Sequence, residues 1–169
     1  VMTKWAGLEG TSIIAAEKEE KLLETLPREL VDVAKEFKEY LSVIPESKIA
    51  MEVGVSAMHD VTEGGVFGAL WELGEASGVG ITAHLDKIPI KQETIEVCEV
   101  FKINPYMLIS SGSMMIGCEK GNLLVEKLEE AGINAAVIGR ATEGNDRIVV
   151  SRDETRYIGP AGSDELYKI

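Results

Sequence analysis

Cysteine is nearly missing from this chain. Cys98 and Cys118 are its two thiols; they lie in unrelated contexts, and neither has a partner at metal-ligand spacing. Buried free thiols are the expectation, with Cys98 on the apolar stripe of a predicted helix. Histidine is as scarce, with His59 and His84 alone, and the acidic residues form no cluster suited to magnesium. Basic residues are outnumbered, 17 against 29 acidic ones, for a net charge of −12. A surface of that sign repels nucleic acid and anionic membranes, so neither is expected as a general partner, although a local basic or amide-lined pocket stays open. The acids begin at Glu17-Lys18-Glu19-Glu20 and continue along the following helices, where mixed signs read as solvated faces. No apolar run reaches transmembrane length, and signal peptide and lipidation motifs are absent, so a cytoplasmic location is expected. Internal repeats and low-complexity tracts are absent too. The chain opens on Val1 and not on Met, and Val1 to Trp5 reads as a strand already under way. An upstream segment is therefore expected.

What is present is globular material: 169 residues, 45% of them apolar, enough for one domain with a sizeable core. That domain is expected to span 1–155, with a polar, extended or loosely packed tail over 156–169. Trp5 to Ser12 carries two glycines before a helix predicted over Ser12 to Thr25, capped by Thr11; no lysine follows in the phosphate-loop position. Pro27 interrupts the pattern, which resumes with Leu30, Val31, Ala34, Phe37, Tyr40 and Leu41 on one helical stripe. Pro45 starts another helix that Gly54 stops, and Val55 to Asp60 reads as a strand. Ile81, Ala83 and Leu85 alternate as in a half-exposed strand. Gln92 to Phe101 reads as a helix, Met107 to Cys118 as an interrupted strand, and Asn122 to Ala131 as a last helix. Ala135 to Ile138 and Ile148 to Val150 are strands joined by a predicted hairpin over 142–146. The sum is an α/β or α+β fold.

The chemistry concentrates in Ala57-Met58-His59-Asp60-Val61-Thr62-Glu63-Gly64-Gly65, a strand running through a polar turn into a helix over Val66 to Ala76. The first N–H groups of a helix lack intrahelical partners and sit at the positive end of its dipole. Gly64 and Gly65 let an anionic group such as a phosphate approach that backbone, while Asp60 or Thr62 can cap the helix or hold a metal-bound water. The plainer reading is a Thr or Asp cap with glycines for packing. His59 is a candidate acid or base because the imidazole side chain has a reference pKa near neutrality, though a lone histidine at a strand end is more often structural. Arg140, at a strand end, is a lesser candidate. The second candidate is Ser110-Ser111-Gly112-Ser113, because hydroxyls on an apolar strand are costly to bury unless they bond to backbone, water or a ligand. A β-bulge with satisfied serines explains it equally.

The stretch His59 to Leu73 resembles the start of the C-terminal domain of the aminoimidazole ribonucleotide synthetase superfamily. So do Asn104 to Ile116 and Gly159 to Tyr167. That resemblance implies a mixed sheet of partly ferredoxin-like topology flanked by helices. It also implies an ATP-dependent, usually dimeric enzyme that phosphorylates an amide or carbonyl oxygen, with ATP and magnesium held mainly by an N-terminal domain. This chain alone is then expected to be inactive. By the same resemblance, Gly64 and Gly65 donate amides to a phosphoryl or substrate oxygen, Thr62 donates its hydroxyl and Asp60 positions. Ser111, Gly112 and Ser113 lie near the cleft between the domains. The hydrogenase-maturation branch fits best, with a protein partner in metalloenzyme maturation. One departure is that its dehydratase carries a cysteine on a C-terminal tail, whereas here Glu165 to Ile169 contains none. Selenophosphate synthetase-like, thiamine monophosphate kinase-like and non-catalytic scaffold readings are the alternatives.

Overall fold

The computed structural model describes residues 1–152 and 154–169. The strands are β1 (Met2–Thr3), β2 (Ala57–Asp60), β3 (Gly80–His84), β4 (Met114–Gly117), β5 (Ala135–Ala136), β6 (Gly139–Thr142), β7 (Arg147–Ser151) and β8 (Glu154–Tyr157). The helices are α1 (Leu8–Glu17), α2 (Glu19–Leu22), α3 (Arg28–Lys35), α4 (Ile44–Val53), α5 (Gly65–Ser77), α6 (Gln92–Phe101) and α7 (Gly121–Glu130). The predicted sheet is present but divided in two, ordered β2-β4-β1-β5 and β6-β3-β7-β8. The first is antiparallel throughout, and the second is mixed through the parallel β3–β7 pair.

Helix α5 is apolar along one side because Val66, Ala69 and Leu70 recur at helical spacing, and it buries that side between the sheets. Its partners include Met2 and Met115 from the first sheet and Ile81, Ala83 and Val149 from the second. A second cluster joins Ile14, Leu22, Val31, Val97, Cys98 and Leu108, and a third joins α4 and α7 to the outer face of β4. Each fully buried aliphatic side chain in these clusters contributes about 1.5–3 kcal/mol.

Four expectations are corrected. The first helix begins at Leu8, with Gly7 left-handed before it, and breaks at Lys18; Thr11 lies inside it, its hydroxyl 3.1 Å from that of Thr94, and caps nothing. The stripe from Leu30 to Leu41 tightens to a 3-10 turn over Glu36–Tyr40. Only Met114–Gly117 of the long predicted strand pairs, because 105–107 form a 3-10 turn and 110–113 fold back on themselves. The hairpin over 142–146 does not form: β6 and β7 lie on opposite sides of β3, and their loop crosses the start of that strand. Gly80 permits the crossing, since a Cβ there would stand 2.5 Å from Thr142 Oγ1 and 2.8 Å from the Asp146 carbonyl.

Candidate functional site

Strand β2 pairs with β4 along its whole length, Asp60 opposite Met114 and His59 opposite Met115. The Val61 N–H then donates to the Ser113 carbonyl at 3.0 Å, which ties the polar turn to the serine segment. Gly64 and Gly65 both take positive φ, 77° and 60°. The chain reverses there and α5 starts with its first turn pressed on the 3-10 turn at Pro105–Met107. A Cβ on Gly65 would lie 2.7 Å from the carbonyls of Tyr106 and Leu108.

The amide expected to meet an anion does meet one, and the chain supplies it. Asp164, buried at 2% exposure, accepts the Gly64 N–H on Oδ2 at 2.7 Å and the N–H groups of Leu166 and Ile109 on Oδ1 at 2.9 and 3.2 Å. Neither Asp60 nor Thr62 caps α5; the Thr62 carbonyl accepts from Gly65 N–H at 3.0 Å. The tail is therefore no loose appendage. Beyond β8, Ile158 is buried, Ala161 packs over Gly64 and Gly68, and a 3-10 turn over Glu165–Lys168 seats Leu166 and Ile169 against the second core cluster.

The serine segment resolves into two roles. Ser110 and Ser113 are fully buried. Ser110 Oγ accepts the Gly7 N–H at 2.6 Å, and Ser113 Oγ donates to the Trp5 carbonyl at 2.6 Å. These hydroxyls hold the entry to α1. Gly112, at φ 103°, packs on the backbone of Tyr40. Ser111 is half-buried at the apex. Asp60 is exposed, Thr62 half-buried, and His59 pairs through Nε2 with Glu72 at 3.3 Å while its Nδ1 lies 2.5 Å from the Asp60 carbonyl. That second contact requires the proton on Nδ1. His84 is half-buried on β3, and Arg140 is exposed on β6. No group of three or more His, Cys, Asp or Glu side chains is placed to hold a metal ion among the described residues. No described helix is long and apolar enough to cross a membrane.

The glycine turn and Ile109, the residue before the serine segment, thus converge on one carboxylate that sequence reasoning did not single out. Asp164 carried a local signal, an aspartate preceding Glu165-Leu166 as a helix cap, but its reach of 100 residues to Gly64 follows only from the fold.

Fold and junction together define an α/β domain of two sheets around a central helix, whose glycine turn is closed by the chain's own carboxylate. The chain belongs to the family of the AIR synthase related protein, C-terminal domain, which matches residues 1–151. It is 33% identical over 102 residues to a Methanocaldococcus jannaschii protein named for hydrogenase expression and formation, covering 58% of this chain and 30% of that protein. It is 28% identical over 97 residues to carbamoyl dehydratase HypE of Rhodobacter capsulatus, covering 55% of this chain and 28% of that one. Among solved structures, Escherichia coli HypE superposes with a TM-score of 0.79 at 22% identity, over 99% of this chain and 51% of that chain. HypE in complex with ATP superposes with a TM-score of 0.71 at 14% identity, over 98% and 51%. The chain thus spans about half the length of these solved chains and less than a third of the curated relatives.

Proposed function

We propose that this chain forms the C-terminal half of an ATP-dependent hydrogenase-maturation enzyme that activates an amide or carbonyl oxygen by phosphoryl transfer. ATP and magnesium are bound mainly by an N-terminal domain, the whole protein is a cytoplasmic homodimer, and a second maturation protein supplies or receives the substrate. The HypE–HypF complex among the structural neighbours, matched with a TM-score of 0.62 over 70% of this chain, supports such a partner. In this reading the chain alone does not turn over ATP.

The observation that carries the reading is the match of residues 1–151 to the AIR synthase related C-terminal domain, with the fold of HypE in complex with ATP over 98% of the chain. The buried Asp164 carboxylate already takes the N–H groups of Gly64 and Ile109, so the turn it fixes offers Asp60 and Thr62, and not those amides, to a phosphoryl group. The half-buried Thr62 offers a hydroxyl and the exposed Asp60 a carboxylate that positions substrate or a metal-bound water, and His59 is the candidate acid or base. Ser111, at the half-buried apex of the serine segment, faces the ATP-binding domain, while the buried Gly64, Gly65, Gly112 and Ser113 hold the turn and the segment in place.

Substituting Gly65 is a poor test, because the carbonyls around it leave no room for a side chain. Thr62→Ala and Asp60→Asn change half-buried and exposed groups and leave the fold in place. Calorimetric titration of Mg-ATP into the encoded protein, with an ATPase assay and inorganic phosphate as control, is the experiment. Turnover about 100-fold lower in either variant is expected if the group stabilises the transition state. Unchanged turnover in both would remove Thr62 and Asp60 from the reaction, and no ATP binding or turnover in the wild-type protein would leave a non-catalytic scaffold.

A further inference from the structure

A cavity of about 480 Å³ lies beneath the first turn of α5, walled by the 3-10 turn at 105–107, strands β7 and β8 and the closing segment 158–162. Its size falls within the roughly 300–1,000 Å³ of small-molecule sites. Of the residues given roles above only Gly64 lines it, and its amide is held by Asp164, so the cavity lies otherwise outside the phosphoryl-transfer reading.

The lining is specific. Phe67 and Tyr106 present a stacked aromatic pair, centroids 5.6 Å apart and planes 15° from parallel, a geometry that favours a further flat ring. Burial holds the Tyr106 phenol protonated above its ordinary range. Asn104 Oδ1 accepts the Tyr106 N–H at 3.1 Å. That bond fixes the side-chain amide and leaves its NH₂ as an oriented donor with no protein partner among the described residues. Leu85, Val149 and Ile158 are apolar. At the mouth Arg156 Nε bonds to Glu154 Oε2 at 3.1 Å, so the two charges cancel. Among the described residues lining the cavity a charged ligand finds no unpaired counter-charge, and an alkyl chain would use neither the ring faces nor the Asn104 donor.

We propose that this cavity binds a flat, uncharged aromatic or heteroaromatic ring carrying a carbonyl or amide on its edge. The ring stacks on the Phe67–Tyr106 pair and its carbonyl accepts from Asn104 Nδ2. Binding is read without nucleotide, so it stands or falls separately from the phosphoryl-transfer reading.

The test is NMR titration of the ¹⁵N-labelled 169-residue chain with nicotinamide and, separately, with cyclohexanecarboxamide, which carries the same amide on a saturated, puckered ring. Nicotinamide should give saturable shifts at the amides of Phe67, Gly68, Tyr106 and Gly159, with cyclohexanecarboxamide at least about fivefold weaker, the low end of what losing one stacking face costs. Ser151→Trp, which fills the cavity from β7, should abolish those shifts, and Tyr106→Leu should weaken nicotinamide roughly tenfold. Equal affinity for the two carboxamides would show an apolar void and overturn the assignment. So would the absence of saturable shifts in the folded chain, or unchanged binding in a folded Ser151→Trp variant. The wild-type comparison decides even where a variant fails to fold.

Discussion

Asp164 gathers N–H groups from Gly64, Ile109 and Leu166 onto two oxygens inside the protein. Hydrogen bonds to a charged group are each worth more than neutral ones, and a donor left unsatisfied in the interior costs its desolvation. Asp164→Ala should therefore destabilise the domain by about 3 kcal/mol, and Asp164→Asn, which keeps one carbonyl oxygen, by roughly half of that. Urea unfolding measures both, and equal losses would show that charge contributes nothing. A second buried group obeys different arithmetic. Lys4 Nζ contacts Glu46 Oε1 at 2.6 Å with the two side chains 9% and 1% exposed, and it also donates to the Tyr40 and Ser42 carbonyls at 2.7 Å. Glu46 Oε2 has no partner among the described residues. Removing the cation strands a buried carboxylate, so Lys4→Met should cost about 3–5 kcal/mol, whereas adding Glu46→Leu should restore part of the loss. Restoration stays incomplete because the Tyr40 and Ser42 carbonyls lose their donor in either case. If the double variant is as unstable as the two single losses added, the pair is not coupled.

At the level of elements, legibility followed the range of the forces involved. Helix α6 was read to the residue because an apolar period, a flanking Pro89 and the Asn104-Pro105 stop are local. The strand-turn-helix of β2 and α5 was legible for the same reason, its glycines marking the positive φ that the turn demands. The crossing of β3 by the loop 142–146 was not, because a polar loop between two short strands reads as a hairpin whichever strand intervenes. Nor was the true role of Ser110 and Ser113, since their partners at Gly7 and Trp5 lie 103 and 108 residues away. The glycine turn itself invites a measurement. With φ at 60° and three backbone atoms within 3 Å of where its Cβ would stand, Gly65→Ala must move α5 off the 105–108 segment. The expected cost is roughly 3 kcal/mol, combining left-handed strain with the clash. Thermal unfolding reads it, and a loss below about 1 kcal/mol would mean that the segment yields freely.

Across the whole molecule, the end of the chain seals a core built from residues between Ile14 and Leu108. Leu166 and Ile169 cover the cluster containing Cys98, and desolvation, with the nearby Glu165 and Glu99 carboxylates, pushes the Cys98 thiol from 9.0 up to about 12. Since the thiolate is the nucleophile, Cys98 should resist a thiol-specific disulfide reagent at pH 8 in the native chain. Ending the chain after Ile158 removes both the apolar cover and Glu165. Cys98 should then become reactive at that pH, as counted by mass spectrometry with Cys118→Ser as background. The same shift has a thermodynamic sign. Between about pH 9 and 12 the unfolded chain has released the Cys98 proton while the folded chain still holds it, so the folded state binds more protons and stability falls as pH rises through that window. The raised Tyr106 phenol acts in the same direction, which makes the difference between wild type and Cys98→Val the informative quantity. That variant should lose less stability on going from pH 8.5 to pH 10.5, and identical slopes would mean that the tail opens readily enough for the thiol to titrate in the folded chain.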